Sequence, residues 1–356
     1  MKDKCREIIE LALGTADVES ITPKLIGKTV EDVARHKVVF AQLFRPLRDY
    51  INTPGRTIVV PKLSDNITVV SDVSEGETIG PSSFSYSAVT VQVSKFGIKI
   101  PVYKEALESP VRDVLKDALL FASEKYADEI DKRACTIALD LKEGTISSWE
   151  GGTLGTTTLT PIIEITSVSG ATIESVDYYD GKVKLTGSVS AATVTFLYSN
   201  RCKSTGLVRD ATTKGSVTVK DILELRASMI ESSIYPDVMI IHSSDLPSLM
   251  SDGAAQGLFE SAYEKEDTLN GEIGQLMDLR MLVSGSTKEG AVILVDSSRL
   301  GVDVTKRELT GIKEDKPEFD SVWYHLWAER ELAVTDDNAI GVLVNVKRGT
   351  YKAADL

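Results

Sequence analysis

Cysteine is scarce: Cys5, Cys135 and Cys202 are the only three in 356 residues, widely separated and with no CxxC pair. An odd, dispersed set argues against a disulfide framework or a Cys-based zinc site and fits synthesis in a reducing cytoplasm. Histidine is equally rare, with His36, His242 and His325 each standing alone. Without HExxH or a Cys/His cluster, a zinc hydrolase is disfavoured. Neither GxxxxGK[ST] nor GxGxxG occurs, and Ser284-Gly285-Ser286 does not complete GxSxG, so nucleotide cradling and a nucleophile elbow lack support. No apolar run approaches the roughly 18 residues that span a bilayer. The opening MKDKCREIIELALG mixes charges with Ile8, Ile9, Leu11 and Leu13, which reads as a short amphipathic helix and not a signal peptide. Amides are few, four Gln and six Asn, a depletion of thermolabile residues of the kind seen in proteins from hot habitats.

What is present is ordinary for a globular chain: 42% apolar and 26% charged residues, enough to build a sizeable core in two or three domains. The formal net charge is −13. Such a balance lacks the basic face of a sequence-specific DNA binder and keeps many soluble proteins dispersed; an acidic wall can still enclose DNA without gripping it. Paired carboxylates carry no information among 53 acidic residues.

Strand and helix signals follow a definite order. Thr29 to Arg35 reads as a short helix, and Thr53-Pro54-Gly55 as a turn. Over 56–102, β-branched runs at Thr57–Val60 and Ile67–Val70 precede a polar stretch, then a period of two through Val89, Val91, Val93, Phe96, Ile98, Ile100 and Val102. This pattern predicts a long β-hairpin with a wide polar tip and little core of its own. Residues 109–142 predict a long helix, with Ser109 and Pro110 at its start, apolar residues from Val111 to Leu141 at spacings of three and four, and Gly144 as the stop. Its expected length is on the order of 50 Å.

The block 145–205 is rich in Thr, Ser, Gly and Val, with short strands at Ile163–Ser167, Val183–Thr186 and Val194–Tyr198 and a hairpin turn over Tyr178–Lys182. Residues 215–300 alternate helix and strand: Val219–Ser232 helical, Val238–His242 a buried strand, a helix to about Asp252 capped by Ser244 or Asp245, and strands at Arg280–Val283 and Ala291–Val295. Strands return at Val302–Arg307, Ser321–Trp327 and Gly341–Val346.

His242 and His325 read as structural histidines. Trp323 and Trp327 share one face of their strand, with Tyr324 on the other. With no basic residue beside them in sequence, core packing is the better reading than a nucleic-acid stacking surface.

The order of elements resembles the major capsid proteins of tailed double-stranded-DNA viruses, the Hong Kong 97-like fold. Val73-Ser74-Glu75-Gly76-Glu77-Thr78-Ile79, with Phe84 and Val89-Thr90-Val91, resembles that family's hairpin loop. Lys95 to Val102 running into Glu105–Ser109 resembles the entry to its spine helix, and Ala127–Asp131 that helix's later part. Met239–His242 with Asp245-Leu246, Gly271–Gly274 leading to Arg280–Ser284, and Ala328–Val334 with Ala339 resemble the axial-domain and closing segments. The resemblance covers about 30–142 and 215–346.

It implies an α+β chain with an N-terminal arm (1–55), an extended hairpin loop (56–102), a peripheral domain with the spine helix (103–144 and 300–356), an inserted β-rich domain (145–205) and an axial α/β domain (206–299). It also implies a virion subunit made in the host cytoplasm, pentamers and hexamers of one chain, portal and scaffolding partners, packaged double-stranded DNA bound without sequence specificity, and no membrane. Only 30–50 residues precede the hairpin, so a separate scaffold or unaided self-assembly is expected. With no Lys between Leu63 and Ser94, a Lys–Asn cross-link from the loop tip is not. No catalytic, cofactor or metal residue is expected. The candidate intersubunit contacts are Asp65, Asp72, Glu75 and Glu77 on the loop, meeting Arg112, Lys116 or Arg307 on a neighbour. Two alternatives stand beside this: an encapsulin-like nanocompartment shell, and a cytosolic α/β enzyme built on 215–300.

Overall fold

Helix α1, Pro23–Arg35, places Ile26, Val30, Val33 and Ala34 at helical spacing on one buried face. It begins six residues before the segment that the sequence pattern singles out. The computed structural model describes residues 23–51, 55–64, 85–103, 114–150, 153–186, 192–252, 257–261 and 269–347. The spine helix α2, Val114–Leu139, spans 26 residues, about 39 Å at 1.5 Å per residue. Its buried side comprises Leu119, Tyr126, Ala127, Ile130, Ala134, Cys135, Ala138 and Leu139.

The helix stops five residues short of Gly144. Asp140 takes a left-handed backbone (φ 47°) and turns the chain into strand β5, Leu141–Ile146. Asn200 Nδ2 holds the Asp140 carboxylate at 2.6 Å. Gly144 is therefore no helix stop but a strand residue, and a Cβ there would lie 2.6 Å from the Phe196 ring.

Strands β1 (Arg45–Leu47), β2 (Thr57–Ser64), β3 (Ser85–Gln92) and β4 (Ser94–Tyr103) come next in importance, because the hairpin is shorter than its period of two suggests. β2 and β3 pair antiparallel from Thr57↔Gln92 to Ser64↔Ser85. The alternation continues past Val93, but the pairing partner changes. β4 lies against β18 (Ser321–Val334), from Arg330↔Ser94 to Ser321↔Tyr103. Side-chain alternation reports which face a residue takes and is silent about its neighbour strand. The long β17 (Gly301–Lys316) completes a four-stranded sheet of order β1-β17-β18-β4, and α1 and α2 pack on one of its faces over Ile98, Ile100, Tyr324 and Leu326.

The β-rich block contains β6 (Leu154–Thr156), β7 (Ile162–Ser169), β8 (Ile173–Asp177), β9 (Lys182–Leu185) and β10 (Thr193–Ser199), arranged with β5 as two three-stranded sheets, β5-β10-β7 and β6-β9-β8. All three strands expected there are present, and the turn over Tyr178–Gly181 joins β8 to β9. The short helix α3, Asn200–Thr205, is capped by the Ser199 hydroxyl.

A seven-stranded mixed sheet follows, with β11 (Val208–Asp210), β12 (Val238–His242), β13 (Phe259–Ser261), β14 (Glu272–Leu276), β15 (Leu279–Ser284), β16 (Val292–Val295) and β19 (Ile340–Val344) in the order β11-β19-β16-β12-β15-β14-β13. Helix α4, Val219–Glu231, packs on β11 and β19, and Thr218 and Asp221 cap it reciprocally. Helix α5, Leu246–Met250, has no side-chain cap. Asp245 instead accepts the Gly290 N–H at 2.8 Å, which answers the expected cap with a tertiary bond.

Two expected segment assignments differ from the strand pairing. β19, in the stretch grouped with the spine helix, belongs to the seven-stranded sheet between β11 and β16. β1, in the expected arm, pairs in parallel with β17. The two large sheets are thus stitched by the chain's return path. The β-rich block is fixed to the seven-stranded sheet by Asn345: its Nδ2 donates to Asp177 at 2.9 Å and to Asp210 at 2.5 Å, its Oδ1 accepts the Tyr178 N–H at 2.8 Å, and Lys214 binds Asp177.

Candidate intersubunit surface

Among the described residues the hairpin is anchored near its base. Ile58, Val60 and Val91 are buried against Val304 and Ala333 of the four-stranded sheet, while Val59 on the opposite side is 54% exposed. Its junction with the sheet is clamped from the spine helix. Arg133 donates to Glu331 and to the Ser94 hydroxyl at 2.8 Å, and Ser94 in turn donates to Glu331 at 2.5 Å. The hydrogen bond to Glu331 holds the Arg133 guanidinium above its ordinary range.

Beneath the sheet, Arg330 pairs with Asp303. Burial opposes the charge, but Asp303 and Tyr126 outweigh it and hold the guanidinium firmly protonated. Nearby Asp131 accepts the backbone N–H groups of Val39, Phe40 and Ala41 at 2.8, 3.0 and 3.0 Å. Burial nevertheless pushes its carboxyl up to about 6, because desolvation of the anion exceeds what the three donors return.

On the sheet face away from the helices, the sequence expectation for the tryptophans fails. Tyr324 is in the core as expected, but Trp323 and Trp327 are half-buried on the outer face. The basic residues missing from their sequence vicinity arrive from other strands. Lys99 Nζ lies 3.4 Å from the centroid of Trp323, Lys316 5.5 Å from it, and Lys95 5.1 Å from that of Trp327. Phe319 stacks on Trp323 at 6.0 Å and 15°. His325, between the two tryptophans, meets Glu314 at 2.9 Å; the Lys316 ammonium, with His325, holds the Glu314 carboxyl below its ordinary range. Ile312 and Phe319, each 58% exposed, and Tyr103 extend the apolar surface.

Of the residues expected at intersubunit contacts, Asp65, Asp72, Glu75, Glu77 and Arg112 lie outside the described residues. Lys116 is half-buried on the first turns of α2. Arg307 is half-exposed on β17 and faces Glu329 of its own chain at 4.0 Å. Sequence reasoning passed over Lys95 and Lys99, although the alternation of β4 sets both opposite Phe96, Ile98 and Ile100.

The three histidines have local partners: Asp32 O for His36, Ser244 for His242 and Glu314 for His325. Ser244 Oγ lies 2.7 Å from His242 Nδ1 and 3.3 Å from Glu289. Here the serine is the middle member, whereas a hydrolytic triad sets the imidazole between nucleophile and carboxylate. Among the described residues no group of three His, Cys, Asp or Glu side chains is arranged for a metal, and no helix is long and apolar enough to cross a membrane.

No family model matches the sequence, and no curated protein does. Solved structures do resemble it. One from Mycobacterium phage Adephagia superposes with a TM-score of 0.52 at 11% identity, over 86% of this chain and 90% of that one. One from Microbacterium phage Oxtober96 gives 0.51 at 12% identity, over 94% and 97%. The holo-SrpI encapsulin complex from Synechococcus elongatus PCC 7942 gives 0.50 at 13% identity, over 95% and 93%. The architecture is α+β with the Hong Kong 97-like fold.

Proposed function

We propose that this chain is the major capsid subunit of a tailed double-stranded-DNA virus, assembling with itself into a closed icosahedral shell. The observation that carries the reading is a two-stranded hairpin whose one side, Ile58, Val60 and Val91, is tied to its own subunit's sheet at the base while Val59 on its other side is exposed. An isolated strand pair is marginal in water, so its outer part gains stability by lying on an adjoining copy. Contacts of this kind are heterologous, and they close into rings and shells when the rotation between copies permits. The clamp at Ser94, Arg133 and Glu331 sets the angle at which the hairpin leaves the subunit, and with it the geometry passed to the neighbour.

The net charge of −13 suits a wall that encloses DNA without binding it, and keeps unassembled subunits apart. The acidic Asp65, Asp72, Glu75 and Glu77 supply register through many weak pairs, each contributing about 0–1 kcal/mol when exposed; Arg112, Lys116 and Arg307 are the partners first expected for them. Portal and scaffolding proteins complete the proposed assembly in the virion.

Electron microscopy of the purified chain tests this reading: closed particles are expected, and a monomer or dimer at all concentrations overturns it. The likeness to the encapsulin complex favours a second reading, a nanocompartment shell. Particles from the native source that hold double-stranded DNA support the virus; particles filled with protein support the compartment.

A further inference from the structure

We propose that the cleft between the β-rich block and helix α3 is a binding site for a sugar ring that carries a carboxylate, a ligand of the uronic-acid type. Binding here is independent of how the chain assembles.

The cleft has a volume of about 490 Å³ and lies where the loop 157–161 and the turn at Tyr179-Asp180 face Lys203 and Gly206. That size falls within the roughly 300–1,000 Å³ of small-molecule sites, which are ordinarily lined by apolar and aromatic side chains. Here one wall is made of hydroxyls, those of Thr157, Thr158 and Thr160. A lining of this kind favours a ligand rich in hydroxyls, because each threonine can both donate and accept.

The walls are fixed before any ligand arrives. Asp177 Oδ1 accepts the backbone N–H groups of Tyr179 and Asp180, each at 3.1 Å, and Asn345 and Lys214 hold the same carboxylate. Gly181 has a left-handed backbone (φ 69°), and a Cβ there would lie 2.7 Å from Thr157 O and 2.6 Å from Thr160 Cγ2. The turn and the loop are therefore pressed together. Opposite them, Ser199 caps α3 at its start. Gly206 follows its last residue, and a Cβ on Gly206 would meet nothing within 4 Å, so this side of the cleft has room. Rigid walls lower the ordering cost of binding.

The groups inside the cleft have interactions to spare. Tyr178 is buried, whereas Tyr179 is 40% exposed. Among the described residues the Tyr179 ring stacks on no other ring, and the hydroxyls of Tyr179, Thr158 and Thr160 have no hydrogen-bond partner. Lys203 Nζ lies 5.9 Å from the centroid of Tyr198 and has no carboxylate partner among those residues. Asp180 is engaged by Lys182 at 2.9 Å, which leaves Lys203 to attract an anion. A pyranose offers an apolar C–H face to an exposed aromatic ring and hydroxyls to the threonines. A carboxylate on that ring meets Lys203 in a charge-assisted bond. A nucleotide fits less well: a phosphate chain calls for clustered cations or a Gly-rich run of N–H donors, and Lys203 is the one cation among the described residues of the lining.

Saturation-transfer NMR on the full chain tests this, with methyl glucuronide, methyl glucoside and inorganic phosphate as probes. Saturating the protein is expected to label the ring protons of the glucuronide, most strongly those of the face lying on Tyr179, and to label the glucoside more weakly. Tyr179→Ala is expected to weaken glucuronide binding about tenfold. Thr158→Val keeps the shape without the hydroxyl and is expected to weaken both sugars alike. Lys203→Gln is expected to bring the glucuronide down to the level of the glucoside. Melting temperatures near wild type show that each variant is folded.

No transfer to either sugar overturns the proposal, as does glucuronide binding that is unchanged in Tyr179→Ala and Lys203→Gln. Phosphate that displaces the glucuronide while the glucoside gives no signal assigns the cleft to a bare anion and also overturns it. None of these readings depends on whether the wild-type chain forms particles, so the shell reading stands or falls separately.

Discussion

Arg133 reaches Glu331 with two parallel hydrogen bonds, Nε to Oε1 at 2.7 Å and Nη2 to Oε2 at 2.5 Å, joining the C-terminal part of the spine helix to the strand beside the hairpin's exit. Glu331 is buried, so this fork is what makes its charge tolerable there. Arg133→Ala strands that carboxylate and is expected to cost about 3 kcal/mol, read as a lower midpoint in urea. Arg133→Lys keeps the charge without the planar fork, so it recovers only part of the loss.

Asp131 makes stability depend on pH in a direction opposite to that of a salt-bridged carboxylate. Its native pKa of about 6 lies above the ordinary 3.8, so between those values the folded state binds more proton than the unfolded one. The contribution of this residue is therefore more favourable near pH 5 than near pH 7, and it is lost as pH rises through about 6. Melting temperatures of wild type and Asp131→Asn across pH 4.5–7.5 check this: the difference between the two is expected to change with pH on the acid side of 7 and to level off above it.

Gly27 sits where α1 presses on β17, and a Cβ there would fall 2.2 Å from the Leu309 carbonyl oxygen. Intrinsic preference alone would make Gly27→Ala stabilising by about 1 kcal/mol. The clash with backbone decides the sign, and a net loss of about 1–3 kcal/mol is expected, measured by chemical denaturation. A gain in stability would mean that α1 can move away from the sheet without cost.

Asn345 holds the β-rich block to the seven-stranded sheet through two donated bonds and one accepted bond. Asn345→Ala leaves the Tyr178 N–H and two carboxylates short of a partner, a loss of about 2 kcal/mol. Hydrogen exchange is expected to quicken over 173–185 while the spine helix remains protected. Uniform acceleration across the chain would show the block to be no separable unit.

Much of this architecture is legible in the sequence where periodicity and burial coincide. The unbroken spacing from Leu119 to Leu139 gives the spine, and Val238–Ile241, apolar throughout, gives a strand covered on both faces. Ends were harder to read. Asp140, a poor candidate for a helix stop beside Gly144, takes the left-handed turn because Asn200, sixty residues away, holds its carboxylate. The surface was least legible. Trp323 has no lysine near it in sequence, and Lys99 reaches it only through the β4–β18 register, a long-range pairing that local pattern does not encode. The same pairing divides 56–102 at Val93, where the alternation of side chains runs on undisturbed.

The single residue Val93 between β3 and β4 also decides how the molecule bears load. Its N–H is bound to Arg56 O at 2.9 Å and its side chain packs at the hairpin base, so the joint offers little slack. Tension on the hairpin passes directly into β4, whose ten pairings with β18 have bonds perpendicular to the strand. A pull along β4 strains them all together, as a lap joint is sheared, and does not open them one after another. In an optical trap, a subunit pulled between its hairpin and β18 should therefore yield in one abrupt rupture, with the sheet acting as a brittle fastening and not as a spring.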